Sequence, residues 1–493
     1  MPSPFDSLVE IIHSRTLNDW KARNQKAVAA LFGTRYLKRA EKSVVLRAPD
    51  MKGDDSGVPF SALIHPETTI QGAYGGMSFV LFPVEGEPCL VGMVIGTQGQ
   101  APDDVILGRP GHARKMQAIS AWLNREYGKG KQVAWAKQDP TTTDIDVPDP
   151  IQRDWSAYKK AFKKYGRVMY ALYRPTEDPK GTLAAVTAML DIMFQERGHD
   201  PMADFKEDSE RVKSAWFRHL MPQVVQEQVV ELLRQRRYVI IQGPPGTGKT
   251  RMAGLILKDN YGGHGRSVQF HPNTTYENFV GGLAPIYSGA DASSIGFRFS
   301  PTPGFLMEAA TAALQNSPKP YLLHIDEINR ADLAKILGEA IYLLETEAEE
   351  PRKIDLSYDY GDPFRHTLYL PDNLHIIGTM NSADRSIAIL DVAVRRRFAF
   401  MSLWPSLEVV EDRGCDLTQR AFKELVSIFV EHAPDDALAL VPGHSYFLGE
   451  DEGQAKVKLQ TNLAPLLREY IAQGYVSGFA ESIRSYLQWL ESL

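Results

Sequence analysis

The chain has 493 residues, too many for one hydrophobic core, and about three domains are expected. With 43% hydrophobic and 24% charged residues, its composition is that of an ordinary globular protein. No run of about 18 apolar residues is present, which excludes a membrane span of the helical kind. The net charge of −6 gives no bulk attraction to nucleic acid, but it is unevenly spread: residues 1–180 carry 25 Lys+Arg against 20 Asp+Glu. The start, MPSPFDSLVEII, lacks a basic region followed by a long apolar stretch, so a secretory signal is not expected. The two cysteines, Cys89 and Cys415, are far apart, no Cys/His cluster has zinc spacing, and a reducing, cytoplasmic setting is expected.

From the start to about residue 48 the pattern is helical, with Phe5, Leu8, Val9 and Ile12 at helical spacing and a second segment from Trp20 to Phe32. Phe60–Ile64, Met77–Phe82 and Cys89–Ile95 read as three strands separated by turn residues such as Gly72, Gly76 and Gly86. Between Ile151 and Arg167 the spacing predicts one two-faced helix. Ile151, Trp155, Tyr158, Phe162 and Tyr165 line one side, and Lys159, Lys160, Lys163, Lys164 and Arg167 occupy much of the rest. That basic face reads either as a solvated surface or as a contact for a nucleic-acid backbone. A further apolar helix is expected over residues 182–195, and Gly198-His199-Asp200-Pro201 then reads as a domain boundary.

The clearest chemistry lies at Gly243, Pro244, Pro245, Gly246, Thr247, Gly248, Lys249 and Thr250. An apolar, β-branched run precedes this GPPGTGKT stretch and a helical pattern follows it. Strand, glycine-rich loop and helix form the setting of a phosphate-binding loop. Glycines let successive backbone N–H groups turn inward around an anion. Lys249 is placed for the β- and γ-phosphates of a nucleotide, and Thr250 for Mg²⁺. A second strand ends near Phe270, and a third, Tyr321–Ile325, ends in Asp326-Glu327. There Asp326 is a candidate to hold the magnesium and Glu327 to polarise a water. A fourth strand, Leu374–Met380, ends at Asn381, and three arginines, Arg395, Arg396 and Arg397, follow at the end of a predicted helix, where they read either as complements of the helix dipole or as arginine fingers. Past Pro405 the pattern is helical again, over 417–431 and 463–490, with His444-Ser445 between.

The segments DEINRAD, MNSADRS, AVRRRF, GHSYF and FHPNTTYENFVGGLAPI together resemble McrB, the GTP-hydrolysing AAA+ subunit of modification-dependent (type IV) restriction systems, over roughly residues 216–470. HPETTIQGAYGGMSFVLFPVEG and VIGTQG resemble a module often fused to such motors. The resemblance implies an α/β AAA+ P-loop NTPase core with a helical lid, preceded by a separate α+β N-terminal domain. We place the divisions at 1–200, 201–404 and 405–493. It implies that Asn381 acts as the polar sensor of the attacking water and that Arg396 and Arg397 act as fingers in a neighbour's site. His444 and Ser445 occupy the family's second-sensor region, against the plain reading as a polar pair in a turn. Asp384 and Arg385 lie in the segment tied to guanine preference, where Ser382 stands in place of the family's usual Thr. GTP is the expected nucleotide, with ATP as the alternative, and Mg²⁺ the cofactor. The implied partners are modified DNA, a separate McrC-like nuclease subunit and further copies of the chain, in a ring that is usually hexameric, with no membrane. Tyr74, Phe79 and Trp122 are candidates to line a pocket for a flipped base, against the ordinary reading as core aromatics. The competing function is that of a MoxR- or dynein-like ATP-dependent remodeller of proteins.

Overall fold

A computed structural model describes residues 3–49, 57–68, 75–97, 103–287, 297–345, 352–383, 390–449 and 451–493. Its contacts divide the chain into two units, residues 1–221 with 430–434, and residues 222–429 with 435–493.

The first unit is built on a six-stranded antiparallel sheet of β1 (Val45–Arg47), β2 (Ser61–Ile64), β3 (Met77–Val84), β4 (Glu87–Ile95), β5 (Ala134–Ala136) and β6 (Met169–Tyr173), in the order β1-β2-β3-β4-β6-β5. β3 and β4 form a hairpin in which Val84 pairs with Glu87, so only two residues make the turn. Such a turn needs positive φ, and Gly86 supplies it at 81°. β3 is apolar except for Ser78, whose hydroxyl donates to the Val94 carbonyl at 3.0 Å, because both faces of the sheet are covered. Met77, Phe79 and Leu81 pack with the helices Asp6–His13, Pro110–Tyr127 and Pro179–Glu196 on one side, while Val80 and Phe82 pack with Trp155, Tyr158 and Phe162 on the other. Period-two alternation of a strand sends neighbours to opposite faces, and here each face meets its own apolar cluster.

One expectation about secondary structure is corrected in this unit. The segment from Ile151 to Arg167 is not one helix: Asp149–Asp154 ends at Trp155, which has φ −106° and ψ 41°, and Lys159–Tyr165 begins after a 3₁₀ turn. The break lets the Trp155 indole N–H reach the Gln132 carbonyl at 3.2 Å while its ring stays in the core. The aromatic side is buried as predicted except for the half-buried Tyr165, and the four lysines and Arg167 are exposed. Phe79 and Trp122 are core residues, with no free face for a base to stack on. Tyr74 lies outside the described residues. The unit also runs past Gly198–Pro201, because Val212 and Trp216 of the helix Lys206–Leu220 belong to its core.

The second unit holds a five-stranded parallel sheet. Its strands are β7 (Tyr238–Gly243), β8 (Gly265–Gln269), β11 (Tyr321–Asp326), β14 (Leu374–Asn381) and β15 (Ala399–Ser402), in the order β15-β7-β14-β11-β8. Two hairpins, β9 (Gly281–Tyr287) with β10 (Phe297–Pro303) and β12 (Lys353–Asp355) with β13 (Thr367–Tyr369), are inserted between its elements. Central strands buried on both faces read as continuous apolar runs, which is why β7, β11 and β14 stand out in the sequence. β15 does not stand out: it has four half-buried residues at the sheet edge. Helices from Leu407 onward complete the unit, and the expected helix over 463–490 is two, Ala464–Ala472 and Ala480–Ser492. Because β7 lies between β14 and β15 and β14 lies beside β11, the carboxyl ends of three adjacent strands carry GPPGTGKT, Asn381 and Asp326. In open parallel sheets ligands bind at such ends.

Candidate active site

The loop after β7 has the conformation its glycines permit. Gly246 and Gly248 have φ of 80° and 83°, and the helix Lys249–Leu255 starts directly after Gly248. A Cβ at Gly246 would lie 2.4 Å from the Ser445 hydroxyl oxygen, so the loop is closely approached as well as left-handed. The segment carrying His444 and Ser445 is fixed onto it: the Gly443 N–H donates to the Pro245 carbonyl at 2.8 Å and the Ser445 N–H to the Gly246 carbonyl at 3.0 Å. Nδ1 of His444 accepts the Ser406 N–H at 3.2 Å, which leaves the proton of the neutral ring on Nε2. Burial, with Arg251 and Arg413 nearby, lowers its pKa to about 4, so the ring is neutral near pH 7. The Thr247 hydroxyl is spent inside the loop, donating to the Pro244 carbonyl at 3.0 Å.

Lys249 is 9% exposed. Its ammonium donates to the carbonyls of Gly243 at 2.9 Å and Pro244 at 2.7 Å, and burial lowers its pKa to about 8 against the pull of Glu327 and Asp326. Thr250 donates its hydroxyl to Asp326 Oδ1 at 2.8 Å, so the two residues assigned to the metal are brought together. His324 stands behind them with Nδ1 3.0 Å from the Ser267 hydroxyl and Nε2 3.9 Å from Asp326 Oδ1. That Nε2 is buried and has no hydrogen-bond partner among the described residues. Hydroxyl and carboxylate oxygens are the donors a hard divalent cation prefers, and the residues present fit Mg²⁺.

Glu327 follows the strand with φ 52° and ψ 47°, a left-handed conformation unusual for a residue with a side chain. Arg330 Nε lies 3.6 Å from its carboxylate. Asn381 ends β14 opposite Gly243, and its carboxamide oxygen accepts the Ala383 N–H at 3.1 Å. The Ser382 N–H reaches the Gly243 carbonyl at 3.1 Å, tying the strand tip to the phosphate loop. Asp384 and Arg385 lie outside the described residues.

The arginines divide. Arg396 is exposed at the end of the short helix Val392–Arg395. Arg397 is 7% exposed, and one guanidinium nitrogen donates to the Ala393 carbonyl at 2.7 Å. Such a side chain is packed within its own subunit, whereas Arg395 and Arg396 are both exposed. Sequence reading missed Thr379 in the site: it is buried in β14 and hydrogen-bonded to both members of the Asp326-Glu327 pair. A lone Thr in an apolar strand carries no signal of that role.

Residues 238–398 match the family model of an AAA domain of the dynein-related subfamily. The chain is 30% identical over 358 residues to the type IV methyl-directed restriction enzyme EcoKMcrB subunit of Escherichia coli strain K12, covering 66% of this chain and 75% of that protein. It is 33% identical over 192 residues to the type II restriction enzyme BsuMI component YdiS of Bacillus subtilis strain 168, covering 33% of this chain and 55% of that protein. No helix among the described residues is long and apolar enough to cross a membrane. With its phosphate loop, acidic pair and parallel sheet in the order described, the chain belongs to the McrB family of AAA+ NTPases.

Proposed function

We propose that the chain is the nucleotide-driven motor of a restriction system that acts on modified DNA, with GTP as substrate and a separate, McrC-like subunit supplying the nuclease. The observation that carries this reading is the meeting of Lys249 and Thr250, after β7, with Asp326 and Glu327, at the end of β11, in a chain similar to a methyl-directed restriction subunit. Lys249 binds the β- and γ-phosphates, and Gly246 and Gly248 bring backbone donors to the same oxygens. Thr250 and Asp326 hold Mg²⁺, which when bound neutralises phosphate charge. Glu327 takes the proton of the attacking water, and Asn381 orients that water. Ser382, Asp384 and Arg385 belong to the segment that selects guanine. The helices after Ser406 act as the lid, with His444 and Ser445 holding the phosphate loop.

Arg396 completes the site of a neighbouring copy, in preference to the buried Arg397, so the active form is a ring, a hexamer by family resemblance. Turnover per subunit then rises with protein concentration. The first unit reads DNA, with Lys159, Lys160, Lys163, Lys164 and Arg167 on phosphates. The deciding experiment is turnover of GTP and ATP side by side, with plain and methylated duplexes. Preference for GTP and a response to methylated DNA support the proposal. ATP-only turnover, indifferent to DNA, favours a remodeller of proteins, the reading to which the dynein-related family model gives weight.

A further inference from the structure

We propose that Thr379 is a positioning residue that fixes Asp326 and Glu327 as one unit, an inference resting on the reading of that pair as metal holder and water activator. A threonine hydroxyl has one proton to give and lone pairs to accept with, and here each is spent on a different member of the pair. The Thr379 hydroxyl donates to Asp326 Oδ1, and its oxygen accepts the Glu327 N–H at 3.2 Å. Asp326 Oδ1 also receives the Thr250 hydroxyl at 2.8 Å, so its carboxylate is held from the phosphate loop and from β14 at once. Parallel pairing makes this reach possible: Ile325 of β11 lies opposite Gly378 of β14, which places Thr379 beside Asp326.

The backbone of Glu327 explains why a pin is needed. At φ 52° its Cβ is crowded in a way that glycine would avoid. Such a conformation persists where the surroundings over-determine it. Thr379, 2% exposed, supplies one of the contacts that hold it. Valine has nearly the same shape and suits a strand at least as well, so packing alone does not call for a hydroxyl at this position. The hydroxyl serves the acidic pair.

The test uses the full chain with Thr379→Val, Thr379→Ser and, as reference, Glu327→Gln. In Thr379→Val we expect kcat to fall about tenfold or more while KM for the nucleotide moves less than about threefold. Hydrogen exchange at the Glu327 amide, read without nucleotide or metal, should quicken, and nucleotide binding in EDTA should be unchanged. Thr379→Ser keeps both hydrogen bonds and should stay within about threefold of the parent in kcat. Parent-like turnover and exchange in Thr379→Val overturn the proposal, as does an equal fall in the serine variant. If the valine variant does not fold, Thr379→Ala takes its place, and parent-like turnover and exchange there overturn it too. Glu327→Gln distinguishes failure of this inference from failure of the reading beneath it. If it is inactive while Thr379→Val is parent-like, only the role of Thr379 is refuted. If it turns over as the parent does, the reading of the acidic pair fails and takes this inference with it.

Discussion

Arg35 of the first unit and Lys249 of the second are both buried cations, and the two are treated in opposite ways. In the first unit Arg35 is fully buried and answered within the fold. Its Nε donates to Asp191 at 2.8 Å and its Nη1 to Asp208 at 2.9 Å, while Tyr36 and Ser209 donate to the remaining valences of Asp191. Burial works against the charge there, but hydrogen bonding and attraction from Asp191 exceed it and raise the pKa. In the second unit Lys249 meets only backbone carbonyls, and burial wins, lowering its pKa to about 8. A cation with a carboxylate partner inside the protein is a structural tie. Carbonyl partners alone do not mark a ligand site, since Lys137 of the first unit also donates to backbone carbonyls, those of Thr142 and Arg167, with its pKa lowered by burial; the proposed role of Lys249 rests on its place in the phosphate loop as well. Strongly shifted groups cluster at functional sites, and the direction and cause of the shift separate these two.

The largest effect that sharpens this contrast is on turnover. Glu327→Gln should lower hydrolysis by about 10²–10⁴-fold with nucleotide binding retained, as expected for loss of a general base. Steady-state rates and equilibrium binding on the same preparation check it. Arg35→Met comes next, on stability. Removing one partner of a buried pair strands the other charges and costs about 3–5 kcal/mol, so denaturant unfolding of the first unit should shift by that amount.

Legibility in the sequence followed the same divide. The phosphate loop is a local device whose glycines, lysine and threonine carry their meaning within eight residues, and the structure folds it as read. Asp326 and Glu327 were legible because an apolar strand ends in them. Thr379 was not, since its role arises only when β14 pairs beside β11. Arg397 looked like Arg396, but the turn of a short helix buries one and exposes the other. In the first unit β1 and β5 are three residues long, too short for a period to show. The Trp155 break was hidden because aromatic spacing continues through it.

A smaller effect concerns acid. Burial lowers the pKa of His375, near Arg237 and Arg234, and that of His444, near Arg251 and Arg413, each to about 4. Both rings are neutral in the fold at pH values where the unfolded chain, at its ordinary 6.5, begins to bind protons. Their contribution is therefore complete above pH 6.5 and is lost as pH falls from 6.5 towards 4. Thermal unfolding followed across that window should show a decline that His444→Asn and His375→Asn flatten. The smallest effect is on DNA. Replacing Lys159, Lys160 and Lys163 with Gln should reduce the salt dependence of binding by about 0.9 in log–log slope for each DNA phosphate no longer neutralised. Fluorescence anisotropy at several salt concentrations reads it, and an unchanged slope would return that face to plain solvent.

The contrast between a cation kept for the fold and one kept for a ligand is tested most directly by thermal unfolding of Lys249→Met, with and without nucleotide. Losing a charge that the fold does not pair should leave the nucleotide-free midpoint within about 3 °C of the parent, while the upward shift produced by nucleotide disappears. A nucleotide-free midpoint lowered by about 8 °C or more, or a nucleotide shift that survives the substitution, would contradict it.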